Sequence, residues 1–324
     1  MHSFDLVTVG NVIVDIFLNV SDAGKHLKIN EKNELILELG DKIHLEKYNF
    51  SLGGDASNVA IGASRLGLNS CLIAETGYDE FLGKIQKTLE KEGVDTSRLT
   101  RGEVAESAFS VILNFKGDRV IFAEDRIREH NFDFQNLSTR VVYLTSLGRE
   151  WQKAYEKALK FAQENQTIFV LNPGMYQIEN IKLLDVILKR CDLIFLNSQE
   201  AQTILNQTNT DLKKLAFQIK ELGPKEVVIT DGENGACFLD KNSAFYKSPM
   251  IQGEVVERTG AGDAFASGFV SAVFYGKTPE ERLFWGSLNA ASAISKLGAI
   301  EGLLTKEEME EKEKEFANFR VEKL

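Results

Sequence analysis

The chain has 324 residues, 43% hydrophobic and 27% charged, which are the proportions of a soluble globular protein and allow one large α/β domain or two ordinary ones. A formal net charge of −10 at pH 7 and the lack of a long lysine and arginine cluster argue against a nucleic-acid-binding surface. The three cysteines are scattered without metal-ligand spacing, so we predict reduced thiols in a cytoplasmic protein.

The N-terminal segment is predicted to begin a β-sheet. Residues 1–20 are rich in apolar side chains but include Asp5 and Asp15, and they carry neither a basic leader nor a small-residue cleavage site. We therefore expect neither a signal peptide nor a membrane span. Two β-branched runs, 4–10 and 12–18, are instead typical of strands.

The rest of the chain alternates between helical and apolar segments. Apolar residues at helical spacing, followed by short and uniformly apolar runs, predict helices that alternate with strands buried on both faces. The predicted strands are 70–74, 141–144, 167–171, 193–196 and 227–230. The predicted helices are 55–66, 81–91, 150–164, 183–190, 200–205, 212–222 and 264–275. This order predicts a mostly parallel, doubly wound sheet.

Two segments lack crossover helices and are predicted to form a small β lid that projects from the core. They are residues 16–50 and 107–122, in which short strands follow one another. The α/β core is then made of 1–15, 51–106 and 123–324. Within it, the charged tail at 305–324 is predicted to be a solvated terminal helix.

A glycine pair precedes the first predicted helix. Gly53 and Gly54 are followed by the small polar residues Asp55, Ser57 and Asn58. A polyhydroxylated ligand could bond to exposed N–H groups and to Asn58 at this point. The alternative is a helix capped by Asp or Ser after a tight turn.

A second small-residue turn, Gly260-Ala261-Gly262, precedes Asp263 and an almost uncharged helix. A helix that begins there points unpaired backbone N–H groups and its positive dipole end at an anion, and glycine lets a phosphate approach the backbone. A carboxylate beside such an anion site is suited to phosphoryl transfer. The alternative is that Asp263 only caps the helix.

Together the two motifs resemble those of the PfkB carbohydrate kinases, which have the ribokinase-like fold. Residues 53–60 match Gly-Gly-x-x-x-Asn-x-Ala, and residues 259–265 match Thr-Gly-Ala-Gly-Asp-Ala-Phe. The resemblance implies a three-layer αβα sandwich with a mostly parallel central sheet, a sugar under the β lid, and ATP across the carboxyl edge of the sheet. It also implies that Asp263 is the general base and that the amides of residues 260–262 hold the charge on the transferred phosphoryl group.

The same resemblance assigns further residues one by one. Those implied to bind the sugar are Asp15, Gly53, Gly54, Asp55 and Asn58. Those implied to contact the nucleotide are Asn197, Thr230, Gly232, Gly235 and Asn289. Glu200, in an Asn-x-x-Glu pattern, would hold Mg²⁺ through water. The structural alternatives are a strand-end turn at 15, helix capping at 197–200, a strand–turn–strand at 230–235 and a buried helix at 289.

Departures from the family pattern bear on specificity. Glu257-Arg258 stands where Asp-Thr is common, which leaves a requirement for a monovalent cation such as K⁺ open and makes Arg258 a candidate phosphate contact. The stretch at 53–58 differs from the Gly-Gly-Lys-Gly-Ala-Asn of ribokinases, which weakens a strict ribokinase assignment. No basic cluster occurs in the sugar-side segments, which favours an unphosphorylated sugar over a sugar phosphate.

The resulting hypothesis is an ATP- and Mg²⁺-dependent kinase that phosphorylates a hydroxymethyl group of a small unphosphorylated sugar, either fructokinase-like or ribokinase-like. One alternative is a nucleoside (adenosine-like) kinase in which Phe109 stacks on the base. Another is a catalytically silent sugar- or nucleotide-binding regulator. The expected partners are small molecules rather than nucleic acid or membranes, and exposed edges of the lid would allow a homodimer.

Overall fold

Strands and helices alternate along most of the chain in the computed structural model, which describes residues 2–20, 27–32, 34–104, 106–115 and 118–324. The strands are β1 (His2–Val9), β2 (Ile13–Asn19), β3 (Leu27–Ile29), β4 (Leu35–Leu37), β5 (Lys47–Gly53), β6 (Ser70–Ile73), β7 (Glu75–Thr76), β8 (Thr100–Arg101), β9 (Phe109–Phe115), β10 (Asp118–Ala123), β11 (Leu137–Thr145), β12 (Ile168–Asn172), β13 (Leu193–Asn197), β14 (Glu226–Thr230), β15 (Ala236–Leu239), β16 (Phe245–Ser248) and β17 (Glu322–Lys323). The helices are α1 (Asp55–Arg65), α2 (Glu80–Lys91), α3 (Gln152–Glu164), α4 (Met175–Glu179), α5 (Ile181–Leu188), α6 (Ser198–Leu205), α7 (Leu212–Glu221), α8 (Ala261–Phe274), α9 (Pro279–Ala293) and α10 (Lys306–Glu315). None of these described helices has the length and apolar character needed to cross a membrane.

Nine of the described strands form one large sheet in the order β17-β16-β15-β14-β13-β12-β11-β1-β6. Within this sheet, neighbouring strands in the series β6, β1, β11, β12, β13 and β14 pair in parallel. Strands β15, β16 and β17 are added antiparallel. Successive side chains of β11 point to opposite faces, so Val142 and Leu144 pack in one core and Val141 and Tyr143 in another. Helices α3, α5 and α7 cover the first face, and α1, α8 and α9 cover the second. The predicted three-layer αβα fold is confirmed.

Four strands form a second sheet, hereafter the small sheet, in the order β10-β9-β2-β5. The β3–β4 hairpin packs beside it through Leu27 and Leu35. The strands of the small sheet reach beyond the predicted segments, because Ile13 of β2 pairs with Gly53 at the end of β5. Residues 21–26, 33, 116 and 117 of the predicted lid lie outside the described residues.

The C-terminal tail differs from the prediction of one terminal helix. Helix α10 ends at Glu315, and β17 then pairs with β16 through Tyr246 and Lys323. An edge strand exposes unpaired N–H and C=O groups, and a short charged segment that covers them satisfies these groups. The tail therefore closes one edge of the large sheet.

Candidate active site

The N-terminus of α8 forms a turn that can receive an anion. Gly260 precedes the helix with a φ of +76°, and a Cβ there would clash with Ala299, so this position requires glycine. A Cβ at Gly262 would meet no atom within 4 Å, which means that open space lies beside this turn. The first N–H groups of a helix have no partner inside it, so the turn offers donors to a ligand.

Asp263 lies in this first turn and is bonded to the other motif. Its side chain is 8% exposed, and Asn58 Nδ2 of α1 donates a hydrogen bond to its Oδ2 over 2.8 Å. The Oδ1 atom of Asn58 is buried with no hydrogen-bond partner. Because α1 and α8 pack closely where Gly62 meets Ser267, two residues 205 positions apart in the sequence come into contact. The structure thus joins the two sequence motifs in one site.

Three carboxylates influence one another around this contact. Burial raises the pKa of Asp263 well above its ordinary value, the charge of Asp55 raises it further, and the Asn58 hydrogen bond opposes the shift. Burial also raises the pKa of Asp55, although hydroxyl groups of Ser146 and Thr145 donate to its carboxylate. The pKa of Glu200 is raised by burial and by the charge of Asp55, against the hydrogen bond from the backbone of residue 197. A cation or a proton would be favoured among these groups.

Glu200 and Asn197 form the helix cap that the sequence allowed as an alternative. Asn197 Oδ1 accepts from the Glu200 N–H over 2.8 Å, and Glu200 Oε2 accepts from the Asn197 N–H over 2.8 Å. Asn197 also pairs with Thr230 across neighbouring strands at the carboxyl edge of the large sheet. A capping role and a ligand role are compatible here, because the second Glu200 oxygen takes no part in the cap.

Asp15 lies on β2 of the small sheet, and its Oδ1 accepts a hydrogen bond from Ser110 Oγ over 2.5 Å. Burial raises the pKa of Asp15, the Ser110 hydrogen bond opposes this, and the charges of Glu257 and Asp55 raise it further. A Cβ at Gly53 would overlap the Asp15 carboxylate. Asp15 and the glycine pair are therefore neighbours.

A cavity of about 190 Å³ opens on the other side of the α8 turn. Its lining includes three predicted nucleotide contacts and two residues of the turn, namely Thr230, Gly232, Gly235, Ala261 and Gly262. The turn therefore stands between this cavity and the group of Asp263, Asn58 and Asp55.

Asn289 does not line this cavity, contrary to the implied nucleotide contact. It is fully buried, its Nδ2 donates to Ala264 O and Ser267 Oγ, and its Oδ1 accepts from the Leu304 N–H. These bonds use its polar atoms to fasten α9 to α8. Three α9 residues and the residue that ends the helix do line the cavity: Ser287, Ala290, Ala291 and Ile294. Their i, i+3, i+4, i+7 spacing marks one helix face and was the sequence signal that could have found them.

Glu257 and Arg258, which differ from the usual Asp-Thr of the family, lie in two different environments. Arg258 lines the cavity and pairs with the exposed Glu233 over 2.7 Å. Glu257 is 7% exposed, and both of its oxygens are bonded. Its Oε1 accepts from Thr259 Oγ1 at 2.8 Å and Arg119 Nη1 at 3.4 Å, and its Oε2 accepts from the Gly298 N–H at 2.9 Å. The sequence had no signal for the Arg119 contact, since Arg119 is 138 positions away.

Comparison with known proteins identifies relatives of this architecture. The chain is 25% identical to the 5-dehydro-2-deoxygluconokinase of Clostridium perfringens over 97% of its own length and 95% of that protein. Its fold matches the nucleoside kinase of Methanocaldococcus jannaschii, a member of the ribokinase family, with a TM-score of 0.75, 22% identity and coverage of 96% and 98%. It also matches the Arabidopsis thaliana ribokinase complexed with ribose and ATP, with a TM-score of 0.76, 18% identity and coverage of 96% and 98%.

The family profile of the pfkB carbohydrate kinases matches residues 6–306, which is most of the chain. That span contains the glycine pair, the α8 turn, Asp263 and, apart from the first residues of β1, the strands of both sheets up to β16. The chain belongs to the pfkB family of carbohydrate kinases and is a sugar kinase.

Proposed function

We propose that this kinase transfers the terminal phosphoryl group of ATP to a hydroxymethyl group of a small unphosphorylated sugar, with Asp263 as the general base. ATP-dependent phosphorylation of a sugar follows from the family, whereas the base and the acceptor group are our proposal. The observation that carries it is the position of Asp263. Its carboxylate is buried, bonded to Asn58, and lies in the first turn of α8 beside open space.

Asp263 is suited to accept the hydroxyl proton. A carboxylate whose pKa is raised by burial is a stronger base than an exposed one, and proton transfer in the transition state contributes about 10²- to 10⁴-fold to the rate. The acceptor oxygen then bonds to phosphorus as the bond to the leaving ADP oxygen breaks. The amides at the α8 N-terminus stabilise the charge on the transferred phosphoryl group.

The sugar would be held on the side of the small sheet. Asp15 supplies carboxylate oxygens, and the unpartnered Oδ1 of Asn58 supplies a further acceptor for hydroxyl groups. The small sheet would act as a lid that keeps water, a competing acceptor, from the reaction. The backbone of Gly54, at a φ of +94°, can approach the sugar closely because it has no side chain.

ATP and Mg²⁺ fit the groups on the other side. The cavity beside Thr230 would take the base, and the α8 turn and Arg258 would take phosphates. No group of three or more His, Cys, Asp or Glu side chains in the described part of the chain could hold a metal directly. Mg²⁺ keeps several waters and binds substrate phosphates, so Glu200 would hold it through water, and the ion would neutralise phosphate charge.

A monovalent cation does not fit the loop at Glu257. Both carboxylate oxygens already accept hydrogen bonds, and a guanidinium supplies a positive charge there. The proposed reaction therefore uses no K⁺ at this loop.

The sugar-side face favours a sugar over a nucleoside. Phe109 pairs with Val14, whose neighbour Asp15 points to the opposite face of the small sheet. Phe109 packs near Phe81, at 6.4 Å between ring centroids, and is not beside Asp15. Stacking of a base on Phe109 would therefore require a different sheet face. Because one relative is a 5-dehydro-2-deoxygluconokinase, 5-dehydro-2-deoxygluconate joins ribose and fructose among the acceptors to be tried.

The other face of the small sheet is suited to a second copy of this chain. Phe50, Ile16, Val111 and Phe122 lie side by side across its four strands, and both phenylalanines are exposed. A homodimer through this face would cover an apolar row that a monomer leaves in water. Sedimentation should then show a dimer that Phe122→Lys dissociates, and a monomeric wild type would refute this arrangement.

The test of the proposed function is phosphate transfer from ATP and Mg²⁺ to a panel of acceptors. The panel contains ribose, fructose, 5-dehydro-2-deoxygluconate, 2-keto-3-deoxygluconate, hexose phosphates and adenosine, with Asp263→Asn assayed beside the wild type. We expect one unphosphorylated sugar to give a primary phosphate ester by ³¹P NMR, and the variant to be nearly inactive. Preference for adenosine or a sugar phosphate would overturn the acceptor class. Sugar binding without turnover of any acceptor would favour the silent regulator.

A further inference from the structure

Glu257 lies between three parts of the molecule. Its Oε2 is bonded to the backbone of Gly298, which follows α9. Its Oε1 is shared by Thr259, the residue before the α8 turn, and by Arg119 of the small sheet. A carboxylate that is 7% exposed is costly to bury unless such donors compensate it, so removal of one donor should disturb the others.

Arg119 reaches Glu257 from the sugar-binding face of the small sheet. On β10 it pairs with Asn114 of β9, which in turn pairs with Asn19 of β2. Asn19 is four residues from Asp15, and side chains at even spacing on a strand share a face. Arg119 and Asp15 therefore lie on one face, and Glu257 is near both, because its charge acts on Asp15.

We propose that Arg119 and Glu257 are a positioning pair that holds the small sheet against the core and sets the loop before the α8 turn. The inference rests on the proposed function, because it concerns the same sugar and phosphoryl sites. Through Glu257, the position of the sheet over the sugar is linked to Thr259 and hence to the geometry of the anion-binding amides. The pair contains no reacting atom; it positions groups that do.

Arg119→Met tests the pair, because it keeps much of the side-chain length and removes the charge. We expect the KM for the sugar to rise about tenfold, since small displacements of a positioned substrate reduce rates strongly, with the KM for ATP changed less than twofold. The amount of ADP released per sugar phosphate should also rise, since a loosened sheet admits water. Arg119→Lys should restore part of the sugar KM, because the charge returns without the planar fork.

A double-mutant cycle separates this role from general loss of packing. If the pair acts as a unit, Arg119→Met should have little further effect in a Glu257→Gln background. Arg126→Met is the matched control: Arg126 pairs with Glu106, both partners are about half exposed, and such pairs contribute little. The control should retain wild-type kinetics.

Hydrogen exchange gives a readout that needs no turnover. In Arg119→Met, exchange should increase in β9, β10 and residues 257–262 and stay unchanged in β11 to β14. This increase without activity on any acceptor would leave the pair standing and refute the proposed function alone. Unchanged exchange together with a sugar KM and ADP ratio like those of Arg126→Met would overturn the positioning pair.

Discussion

The two sides of the α8 turn are lined by different types of residue. On the proposed nucleotide side, the cavity is lined largely by glycines, small side chains and apolar groups such as Ala290 and Ile294, at one edge of the large sheet. On the proposed sugar side, burial raises the pKa values of Asp15, Asp55 and Asp263, and the charge of Asp55 further raises the pKa values of both Asp15 and Asp263. The difference indicates that shape selects the ligand on one side, whereas charge and hydrogen bonding select it on the other.

The largest expected effect comes from the residue at which the two sides meet. Asp263→Asn keeps the shape and the bond from Asn58 but removes the base, so kcat should fall about 10²- to 10⁴-fold. Calorimetric affinities for sugar and ATP should stay close to those of the wild type. Asp185→Asn, at an exposed helix pair with Lys189, is the control and should be fully active. A fully active Asp263→Asn enzyme would remove the general base from the mechanism.

A methyl group added on the sugar side should act on the sugar alone. In Gly53→Ala the new Cβ would overlap the Asp15 carboxylate, which must move. We expect the KM for the sugar to rise about 10- to 100-fold, the range set by small misplacements at a positioned site, with the KM for ATP unchanged. Gly83→Ala is the control, because a Cβ at this helical position meets no atom within 4 Å. Equal effects on both substrates would contradict the division into two sides.

The features predicted from the sequence were those with local causes. Uniformly apolar runs such as 193–196 correctly predicted strands buried on both faces. The small-residue turn at 260–262 correctly predicted the start of a helix, where backbone N–H groups lack partners within the helix. The implied nucleotide contact of Asn289 depended on tertiary packing instead. Asn289 lies on the face of α9 that packs on α8, and helix periodicity, not motif position, decides which face meets the cavity.

Distant partners could not be predicted for the same reason. Glu257 is bonded to Arg119 and Gly298, which are 138 and 41 positions away, and nothing near either residue indicates the contact. The strands of the small sheet were placed approximately, since one face is half exposed and its hydrophobic pattern is weak. The edge strand at 322–323 was missed because two charged residues show no strand periodicity.

Filling the proposed nucleotide cavity should have the opposite selectivity to Gly53→Ala, with an effect on the KM for ATP and not on the KM for the sugar. Ala290→Leu places a larger side chain in a cavity of about 190 Å³, so the KM for ATP should rise on the order of tenfold while the KM for the sugar is kept. Asn289→Ala is the comparison variant, because Asn289 is next to Ala290 in the sequence but does not line the cavity. It removes buried hydrogen bonds worth about 1–3 kcal/mol in total and should lower Tm without a selective change in the KM for ATP. A selective ATP defect in Asn289→Ala would restore it to the nucleotide site.

The smallest expected effect is on folding stability, because the ionised carboxylate of Asp263 is costly to bury. The pKa of Asp263 is raised in the folded protein, so this group favours folding fully below its unfolded pKa, and that contribution is lost as pH rises through the folded value. An asparagine side chain cannot ionise, and Asp263→Asn should therefore increase Tm by about 1–2 °C at pH 7.5, the size expected for ~1 kcal/mol in a chain of this length. The gain should shrink towards pH 4, where the wild-type carboxyl is protonated in the folded state. A Tm difference that is independent of pH would mean that the charge of Asp263 carries no such cost.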